Sequence, residues 1–259
     1  MRCKDSDGCI GMRQSPNYIH FRNQWQVLGL DAGLLGDRAA FEDLRNKLNK
    51  SPVDVDFCDS SYRPQRWEMG KVCEGICEGG QAFTKLVCDP NQITLVEEWT
   101  ESSAEEFKEK SVAMLQVWFE QFPRTAIIVQ RTCIRALLQS TQIRDSREFL
   151  GNRIMTVGQP MQGIFQPMPF KIGFTFSCLR PSEDSQLVID TTVNSWRDNK
   201  QVWIQVEGMA PMPRPMNATN PDVASRPFED CRRFLEEEVI GFLDRYDKKA
   251  DSNSAGLEE

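Results

Sequence analysis

The sequence contains a single histidine, His20, among its 259 residues. A zinc protease site built on two histidines is therefore excluded, as is a histidine-rich metal site. Any Ser-His or Cys-His catalysis would have to use His20 as its base, whereas a lone histidine on an early strand is more typical of a surface or hydrogen-bonded residue. The P-loop, GxGxxG, GxSxG and HExxH motifs are also missing. We therefore predict no catalytic residue, and the sequence leans away from an enzyme.

Long apolar runs and an excess of basic residues are missing as well. Uninterrupted apolar stretches such as Ala126–Val129 are short, and no apolar segment follows Arg2 and Lys4, so neither a membrane span nor a signal peptide is predicted. Lys and Arg number 31 against 38 Asp and Glu, which gives a formal charge of −7. This balance argues against binding along a nucleic-acid backbone or on an anionic membrane. We expect neither as a partner.

Residues 17–122 are predicted to form a first α+β half. A strand with an irregularity near Asn23 comes first, and Asp37 caps the helix that follows it. The runs VDVDF, RWEMGKVCEG, QAFTKLVC and ITLVEEW then have strand composition. A long helix is predicted from Ser102-Ser103 to Phe122, with Glu105 and Glu106 in its first turn, and Pro123 ends it.

Residues 123–246 are predicted to repeat this order of elements. TAIIVQRTCIRALL has the pattern of a long strand, and SREFLGN that of a short helical turn. A weak strand, MTVGQ or GIFQ, is followed by three firmer ones, PFKIGFTFSCL, QLVIDTTVNSW and QVWIQVEGM. A proline-rich loop, Ala210–Pro227, then leads to a last amphipathic helix. We expect residues 1–16 to be a disordered leader, unless translation starts at Met12, and residues 247–259 to be a disordered tail.

Each half therefore has the order β-α-β-β-β-β-α. The segments DPNQITLVEEW and DNKQVWIQVEG echo one another faintly, so an internal pseudo-repeat and a chance similarity both stay open. The predicted fold class is α+β, an antiparallel sheet with two long helices on one face. Two such halves joined edge to edge would form a saddle with one open face, which resembles the TATA-box-binding-protein-like folds. This resemblance is one of topology and implies no function.

The middle of the chain also resembles a sporadically distributed bacterial family of uncharacterised proteins of about 250 residues. The resemblance is carried by ITLVEEW, by a helix beginning SSAEEF and by AIIVQRTCIRAL with its two arginines. A long C-terminal helix after a polar loop completes the pattern. The resemblance implies a bacterial cytoplasmic setting and no particular chemistry.

Arg131 and Arg135 are the candidate anion-binding residues. In a strand, alternate residues share a face, so the two guanidinium groups flank Cys133 on one side of the sheet. Arginines in such positions grip carboxylates, phosphates or backbone carbonyls in bidentate fashion, which indicates an anion site on the open face of the sheet. The alternative, which we favour here, is cross-strand pairing with acids such as Glu97 or Glu207.

Nine cysteines, an odd number, indicate reduced thiols of a cytoplasmic protein rather than a disulfide framework. Cys73, Cys77 and Cys88 form the densest group, but a zinc site needs four ligands and the spacing here is CxxxC without a second pair. They are weak metal candidates, and structural cysteine is the better interpretation. We predict no metal and no cofactor.

Proline and methionine are concentrated in the segment from Met155 to Met216. This segment contains six of the ten methionines, and most of them stand next to or near a proline. Methionine adapts to varied apolar partners, and proline pre-orders the loop that presents it. The alternative is that these methionines fill gaps beneath the helices. The candidate partner-binding residues are Met161, Met168, Met212 and Met216.

Two functional hypotheses follow. The leading one is a non-enzymatic binding or assembly protein that uses the open sheet face and the Pro/Met-rich loops to hold a protein partner or an apolar ligand, with self-association. The alternative is a ligand-binding domain or enzyme with a pocket between sheet and helices, in which Arg131 and Arg135 fix a small anionic group. An enclosed cavity lined by those arginines and by Trp or Tyr would favour the alternative, and a flat exposed apolar patch would favour the first.

Overall fold

The structure is a computed structural model. It describes residues 16–30, 32–51, 57–77, 80–99, 101–141, 143–156, 169, 171–181, 186–197 and 199–248. The strands are β1 (Asn17–Leu28), β2 (Asp59–Arg63), β3 (Arg66–Cys77), β4 (Gly80–Asp89), β5 (Gln92–Glu98), β6 (Ala126–Gln139), β7 (Gly173–Pro181), β8 (Gln186–Ser195) and β9 (Gln201–Met216). The helices are α1 (Ala32–Leu35), α2 (Arg38–Lys50), α3 (Ala104–Gln121), α4 (Ser146–Glu148), α5 (Ser225–Arg233) and α6 (Gly241–Lys248). A π-helical turn (Phe149–Ile154) extends α4, a 3-10 turn (Pro221–Ala224) precedes α5, and a π-helical stretch (Phe234–Ile240) joins α5 to α6.

The nine strands form one open antiparallel sheet in the order β2-β3-β4-β5-β1-β6-β9-β8-β7. β1 and β6 lie side by side at its centre, and the strands that follow each of them extend outward on their own side. The predicted α+β class and the antiparallel sheet are confirmed. Among the described residues, no helix is long and apolar enough to cross a membrane.

Two of the helices, α2 and α3, begin where the sequence predicts. The Asp37 side chain accepts a hydrogen bond from the backbone N–H of Ala39 at the start of α2. Ser103 and Glu106 form a complete capping box at the start of α3, which satisfies two backbone donors that the first helical turn leaves open. Both helices therefore have a local reason to start at these residues.

The helices pack on one face of the sheet. Phe21 of β1 contacts Phe107 of α3 and Phe228 of α5, with ring centroids 5.2 and 5.8 Å apart. Trp67 of β3 packs in the same way on Phe41 of α2, at 5.6 Å. The opposite side of the sheet, which we call the open face, carries His20, Arg22 and Gln24 of β1 and their cross-strand neighbours. The two long helices on the sheet are thus confirmed.

Polar side chains are buried where β1 and β6 meet beneath the helices. Asn23, Gln130 and Thr132 are at most 1% exposed. The Thr132 hydroxyl donates to Asn23 Oδ1 at 2.7 Å, and Asn23 Nδ2 donates to the Ser111 hydroxyl of α3 at 3.0 Å. Gln130 Nε2 donates to the Ala224 carbonyl at 2.9 Å. We call these residues the central polar network, and they join both halves of the sheet to α3 and to the turn before α5.

The predicted proline-rich loop is the main correction. β9 continues through Met216, so the first seven residues of the predicted loop belong to the sheet. Between the pairs Val129–Pro211 and Ile127–Met216, β9 contains three more residues than β6, which makes a bulge. The paired part of β8 ends opposite Met209. Prolines are tolerated in a strand at bulges and where no neighbour needs their N–H, and both conditions hold here.

Smaller differences concern β1, β2 and the C-terminus. The irregularities of β1 lie at Tyr18/His20 and at Gln26/Val27, not near Asn23. β2 is Asp59–Arg63. Most of the predicted VDVDF strand lies outside the described residues, as do residues 1–15 of the predicted leader and most of the weak strand before β7. The last helix extends into the predicted tail, because Asp247 accepts hydrogen bonds from the Ser140 hydroxyl and from the Thr141 backbone and hydroxyl.

Gly208 of β9 allows the C-terminal helix to approach the sheet. A Cβ atom at this position would lie 2.2 Å from Cys231 Sγ and 4.0 Å from Cys231 Cβ. We therefore expect Gly208→Ala to lower the free energy of unfolding by about 1–3 kcal/mol through overpacking. Cys231→Ala removes the clashing sulfur, so the double variant should lose less stability than the sum of the two single variants.

Urea unfolding of the three variants tests this prediction. Gly241→Ala is the matched control, because nothing lies within 4 Å of a Cβ atom at that helical glycine. Strictly additive losses in the double variant would show that Gly208 and Cys231 are not in contact.

Candidate functional site

A pocket of about 340 Å³ opens on the open face, at one end of the central strands. Three of the six tryptophans of the chain line it, whereas Trp25, Trp67 and Trp118 are fully buried in the core. We call this site the tryptophan pocket. Its lining residues are Ile19, Glu98, Trp99, Arg135, Lys171, Asn194, Ser195, Trp196, Arg197, Trp203 and Gln205.

The registers of three strand pairs place the polar side chains of this pocket in one row. His20 of β1 lies opposite Glu98 of β5 on one side and opposite Arg135 of β6 on the other. Arg135 in turn lies opposite Gln205 of β9. Directly paired residues point to the same face of a sheet, so all four side chains reach the open face.

Two turns complete the wall. Trp99 follows β5 with a φ of 53°, a left-handed conformation that is uncommon for a bulky residue, and its N–H donates to the Ile19 carbonyl at 2.8 Å. Trp196 follows β8, and its N–H donates to the Gln201 carbonyl at 2.8 Å. The two indole rings contact each other, with centroids 6.4 Å apart and planes inclined by 48°. They form an aromatic wall across the ends of the two halves.

The cations of the pocket lie over indole rings. The Arg135 guanidinium and the Lys171 ammonium are each 5.9 Å from the centre of the Trp203 ring, and the Arg197 guanidinium is 5.2 Å from that of Trp196. These distances are typical of cation–π contacts. Among the described residues, the lining therefore carries three positive charges against one carboxylate, that of Glu98. In a chain with a formal charge of −7, this is a local excess of positive charge.

The Glu98 carboxylate is largely engaged by histidine. Glu98 Oε2 lies 2.5 Å from Nδ1 of His20, while its other oxygen is 3.9 Å from Arg135 Nη1. Arg135 Nε donates to Gln205 Oε1 at 2.7 Å. The Arg135 guanidinium is thus oriented by an uncharged amide and a ring, with one distant carboxylate.

His20 is 5% exposed, and its Nε2 atom is buried without a hydrogen-bond partner in the described structure. Burial lowers the pKa of His20 below its ordinary value of 6.5. The hydrogen bond and charge of Glu98 oppose this shift, and the positive charges of Arg135 and Arg22 add to it. His20 is therefore neutral at pH 7, donating from Nδ1 to Glu98.

Only one of the two predicted arginines reaches the pocket. Arg131 is exposed elsewhere on the open face, opposite Met209. The acids expected to pair with them are engaged by other residues: Glu97 is fully buried beneath the helices, with Lys110 Nζ at 2.8 Å, and Glu207 accepts from Arg22 at 2.8 Å. The carboxylate that lies beside Arg135 is that of Glu98, with 3.9 Å between Oε1 and Nη1. Pairing of the two arginines with Glu97 or Glu207 stays a prediction.

The cysteine candidates lie away from the tryptophan pocket. Cys73 and Cys77 belong to β3, and their side chains lie outside the described part of the chain. Cys88 is fully buried, and burial raises the pKa of its thiol well above the ordinary value. Cys133 lies between Arg22 and Arg135, but burial raises its pKa to about 12, so the thiol is protonated at neutral pH. Among the described residues, no three His, Cys, Asp or Glu side chains are grouped to hold a metal ion.

The methionine candidates divide into three cases. Met161 and Met168 lie outside the described residues. Met216 is 0% exposed in the core, so it fills space beneath the helices and is not available to a partner. Met212 is partly buried against the same core. Met209, which was not a candidate, is 39% exposed on the open face.

Two other clefts have comparable volumes but a different lining. One of about 420 Å³ lies along β2, β3 and β4, where its lysine, Lys85, is paired with Glu68. The other, of about 400 Å³, lies beside the start of α5, where Arg233 is paired with Asp230. Among the described residues, the first lining has one lysine against two carboxylates, and the second has three arginines against two carboxylates. Neither has the three-to-one ratio of positive to negative groups found in the tryptophan pocket.

The sequence analysis missed Trp99, Trp196, Trp203, Lys171 and Arg197. Their only shared local signal is that the three tryptophans occur at or beside the ends of strand patterns, with Arg197 directly after Trp196. Their convergence depends on the strand order, which the local patterns do not give.

No protein-family model matches the chain, and no curated protein matches it. Among solved structures, the crystal structure of the di-domain ARO/CYC StfQ from the steffimycin biosynthetic pathway is aligned over 90% of this chain and 99% of that chain. The identity is 12% and the TM-score is 0.16. A likeness at this level supports no conclusion about the fold or the activity of this protein.

The lowered pKa of His20 gives a test with a defined sign. In the unfolded chain His20 takes up a proton near pH 6.5, whereas in the folded chain it does so only at lower pH. The contribution of neutral His20 to the free energy of unfolding is therefore fully present above pH 6.5 and is lost as the pH falls towards the folded pKa. We expect the free energy of unfolding to decrease by at most about 1.4 kcal/mol per pH unit from this residue. Urea unfolding of wild type and His20→Gln between pH 7.5 and 5.5 measures the difference.

NMR titration of the single histidine gives the pKa itself. It should lie below 6.5, fall further in Glu98→Gln because the carboxylate favours the protonated ring, and rise in Arg135→Gln because a positive neighbour is removed. A pKa above 6.5 in the wild type would contradict this account.

Proposed function

We propose that the protein is a non-enzymatic binding protein and that the tryptophan pocket on its open face takes a small anionic ligand. One observation carries the proposal: Arg135, Lys171 and Arg197 are held by indole rings. A carboxylate partner neutralises a cation, whereas an aromatic ring orients it and leaves its positive charge in place. An anion entering the pocket would therefore meet charges that are already positioned.

This proposal takes up the alternative hypothesis of the sequence analysis. The two arginines were there considered for an anion site on the open face, and the alternative hypothesis put a pocket between the sheet and the helices; the proposed site lies on the open face. Partial support comes from the discriminating sign named there, because the pocket combines one of the two arginines with tryptophan, although it is open at the surface and not enclosed. The second arginine, Arg131, has no part in it.

The non-enzymatic part of the proposal is supported by the burial of the histidine and of the cysteine that lies between Arg22 and Arg135. His20 and Cys133 are at most 5% exposed, and the raised pKa of Cys133 keeps its thiol protonated. A general base or a nucleophile must contact the substrate directly or through one water molecule. Neither group offers such access in this arrangement.

We further propose that the two halves of the chain are related by a pseudo-twofold axis between β1 and β6, as in the saddle of the TATA-box-binding-protein-like folds. The strand order supports this, because β1 and β6 are central and β5 and β9, the last strands of each half, flank them. The bacterial family resemblance and the cytoplasmic setting remain predictions.

A second candidate function, self-association through the open face, is favoured by one apolar strip. Met209, Val188 and Leu179 are directly paired across β9, β8 and β7. Leu179 is 61% and Met209 39% exposed, and β7 is the terminal strand of the described sheet. A second copy of the chain would bury this strip while pairing along β7.

Anion binding is tested with a pair of probes that differ in charge. The three pocket tryptophans and the three core tryptophans give separate indole N–H signals in NMR spectra, so the core signals are an internal control. Sodium cyclohexanecarboxylate should shift the pocket signals, and the neutral cyclohexylmethanol should not. Arg135→Gln should weaken the carboxylate effect about tenfold, as expected for a lost charged hydrogen bond.

Arg131→Gln is the matched control for this experiment, because Arg131 lies on the same strand and the same face but outside the pocket. It should leave the binding unchanged. Two results would refute anion binding at this site. One is that the carboxylate and the neutral alcohol shift the pocket signals equally, and the other is that the carboxylate binds Arg135→Gln as tightly as the wild type.

Self-association is tested by sedimentation equilibrium of the full chain and of Leu179→Glu. If the strip is an interface, the charge should convert a dimer to a monomer, because burying an unpaired carboxylate is costly. Leu28→Glu is the control, since Leu28 is also exposed, at 51%, but belongs to β1. A wild-type monomer at all concentrations would exclude this candidate.

A further inference from the structure

We infer that the ligand of the tryptophan pocket is a planar aromatic anion, whose ring packs on the Trp99–Trp196 wall while its charged group binds Arg135 and Lys171. This inference rests on the proposed function and adds the chemical class of the ligand.

The rings of the pocket fall into two groups. Trp203 lies under both Arg135 and Lys171, so two cations are gathered over one ring. Trp99 and Trp196 contact each other at 6.4 Å, and among the described residues the one cation over this pair is Arg197, 5.2 Å from the Trp196 ring. The two cations over Trp203 suit a charged group, and the paired rings suit an aromatic one.

Aromatic rings match this wall better than aliphatic groups. Aromatic pairs prefer offset or tilted contacts with centroids 4.5–7 Å apart, and these contribute beyond the apolar area that they bury. The backbone also favours this interpretation, because Trp99 is held in a left-handed conformation that a smaller residue would adopt at lower cost.

Polar groups of the pocket suit a ring with hydrogen-bond acceptors. Gln205 Oε1 accepts from Arg135 Nε, so the amide NH₂ of Gln205 remains as a donor on the same face. The volume, about 340 Å³, is at the lower end of the range of about 300–1,000 Å³ for small-molecule sites. An aromatic carboxylate and a nucleoside monophosphate share the required ring and charge.

Isothermal titration calorimetry of the full chain with three probes tests the inference. We expect 2-naphthoate to bind about three- to tenfold more tightly than cyclohexanecarboxylate, which has the same charge but no aromatic ring. Adenosine monophosphate is the second aromatic probe. If it binds more tightly than 2-naphthoate, the ligand is of the phosphate type, and if less tightly, of the carboxylate type; both results support the inference.

Variants of Trp99 separate stacking from mere bulk. Trp99→Leu should bring the ratio of the naphthoate and cyclohexanecarboxylate affinities close to one. Trp99→Phe retains an aromatic ring, so it should keep most of the preference for naphthoate. Chemical shift changes of the pocket indole signals, with the three core signals unmoved, would show that binding is local and that the variants are folded.

The outcomes distinguish this inference from the proposed function. Equal affinities for the aromatic and aliphatic carboxylates, both lost in Arg135→Gln, would overturn the aromatic ligand and keep the anion site. No heat and no indole shift with any of the three probes would overturn both.

Discussion

The central polar network between β1 and β6 is the constraint on which the rest of the structure depends. Its side chains have almost no contact with water, so each donor and acceptor needs a partner within the protein. A slip of one residue between the two strands would separate Asn23 from Thr132 and leave several groups unsatisfied, each at a cost of about 1–3 kcal/mol. The same register places His20 opposite Arg135 on the other face. Polar contacts beneath the helices thus fix the geometry of the pocket above.

The pocket differs from the rest of the surface in how its cations are held. Elsewhere arginines and lysines lie against acids, as Arg22 does with Glu207 and Lys85 with Glu68. In the tryptophan pocket the nearest carboxylate, Glu98, is turned towards His20 by a 2.5 Å contact. The histidine thus holds one oxygen of this carboxylate, while the other oxygen lies 3.9 Å from Arg135 Nη1. The Arg135 guanidinium is shared between this carboxylate, the Gln205 amide and the Trp203 ring.

Much of the fold could be predicted from the sequence, because it is encoded by nearby residues. The cap at Asp37 and the box at Ser103 and Glu106 act within three positions of the chain. Arg135 could also be placed on a sheet face, since alternation along a strand needs no other element. The pocket could not be predicted, because its parts come from positions 19 to 205 and meet through strand registers. β9 was misread for a related reason: its prolines indicate a loop unless the partial pairing by β8 is known.

The prolines of β9 affect how the sheet can meet other chains. Three of the six residues from Pro211 to Met216 have no backbone N–H, and no described residue of β8 pairs with this stretch. An incoming strand would find too few donors there to build a continuous ladder. The bulge beside Val129 also bends the stretch away from a flat edge. This part of the sheet therefore resists fibril-like growth, even though it lies next to the exposed Met209.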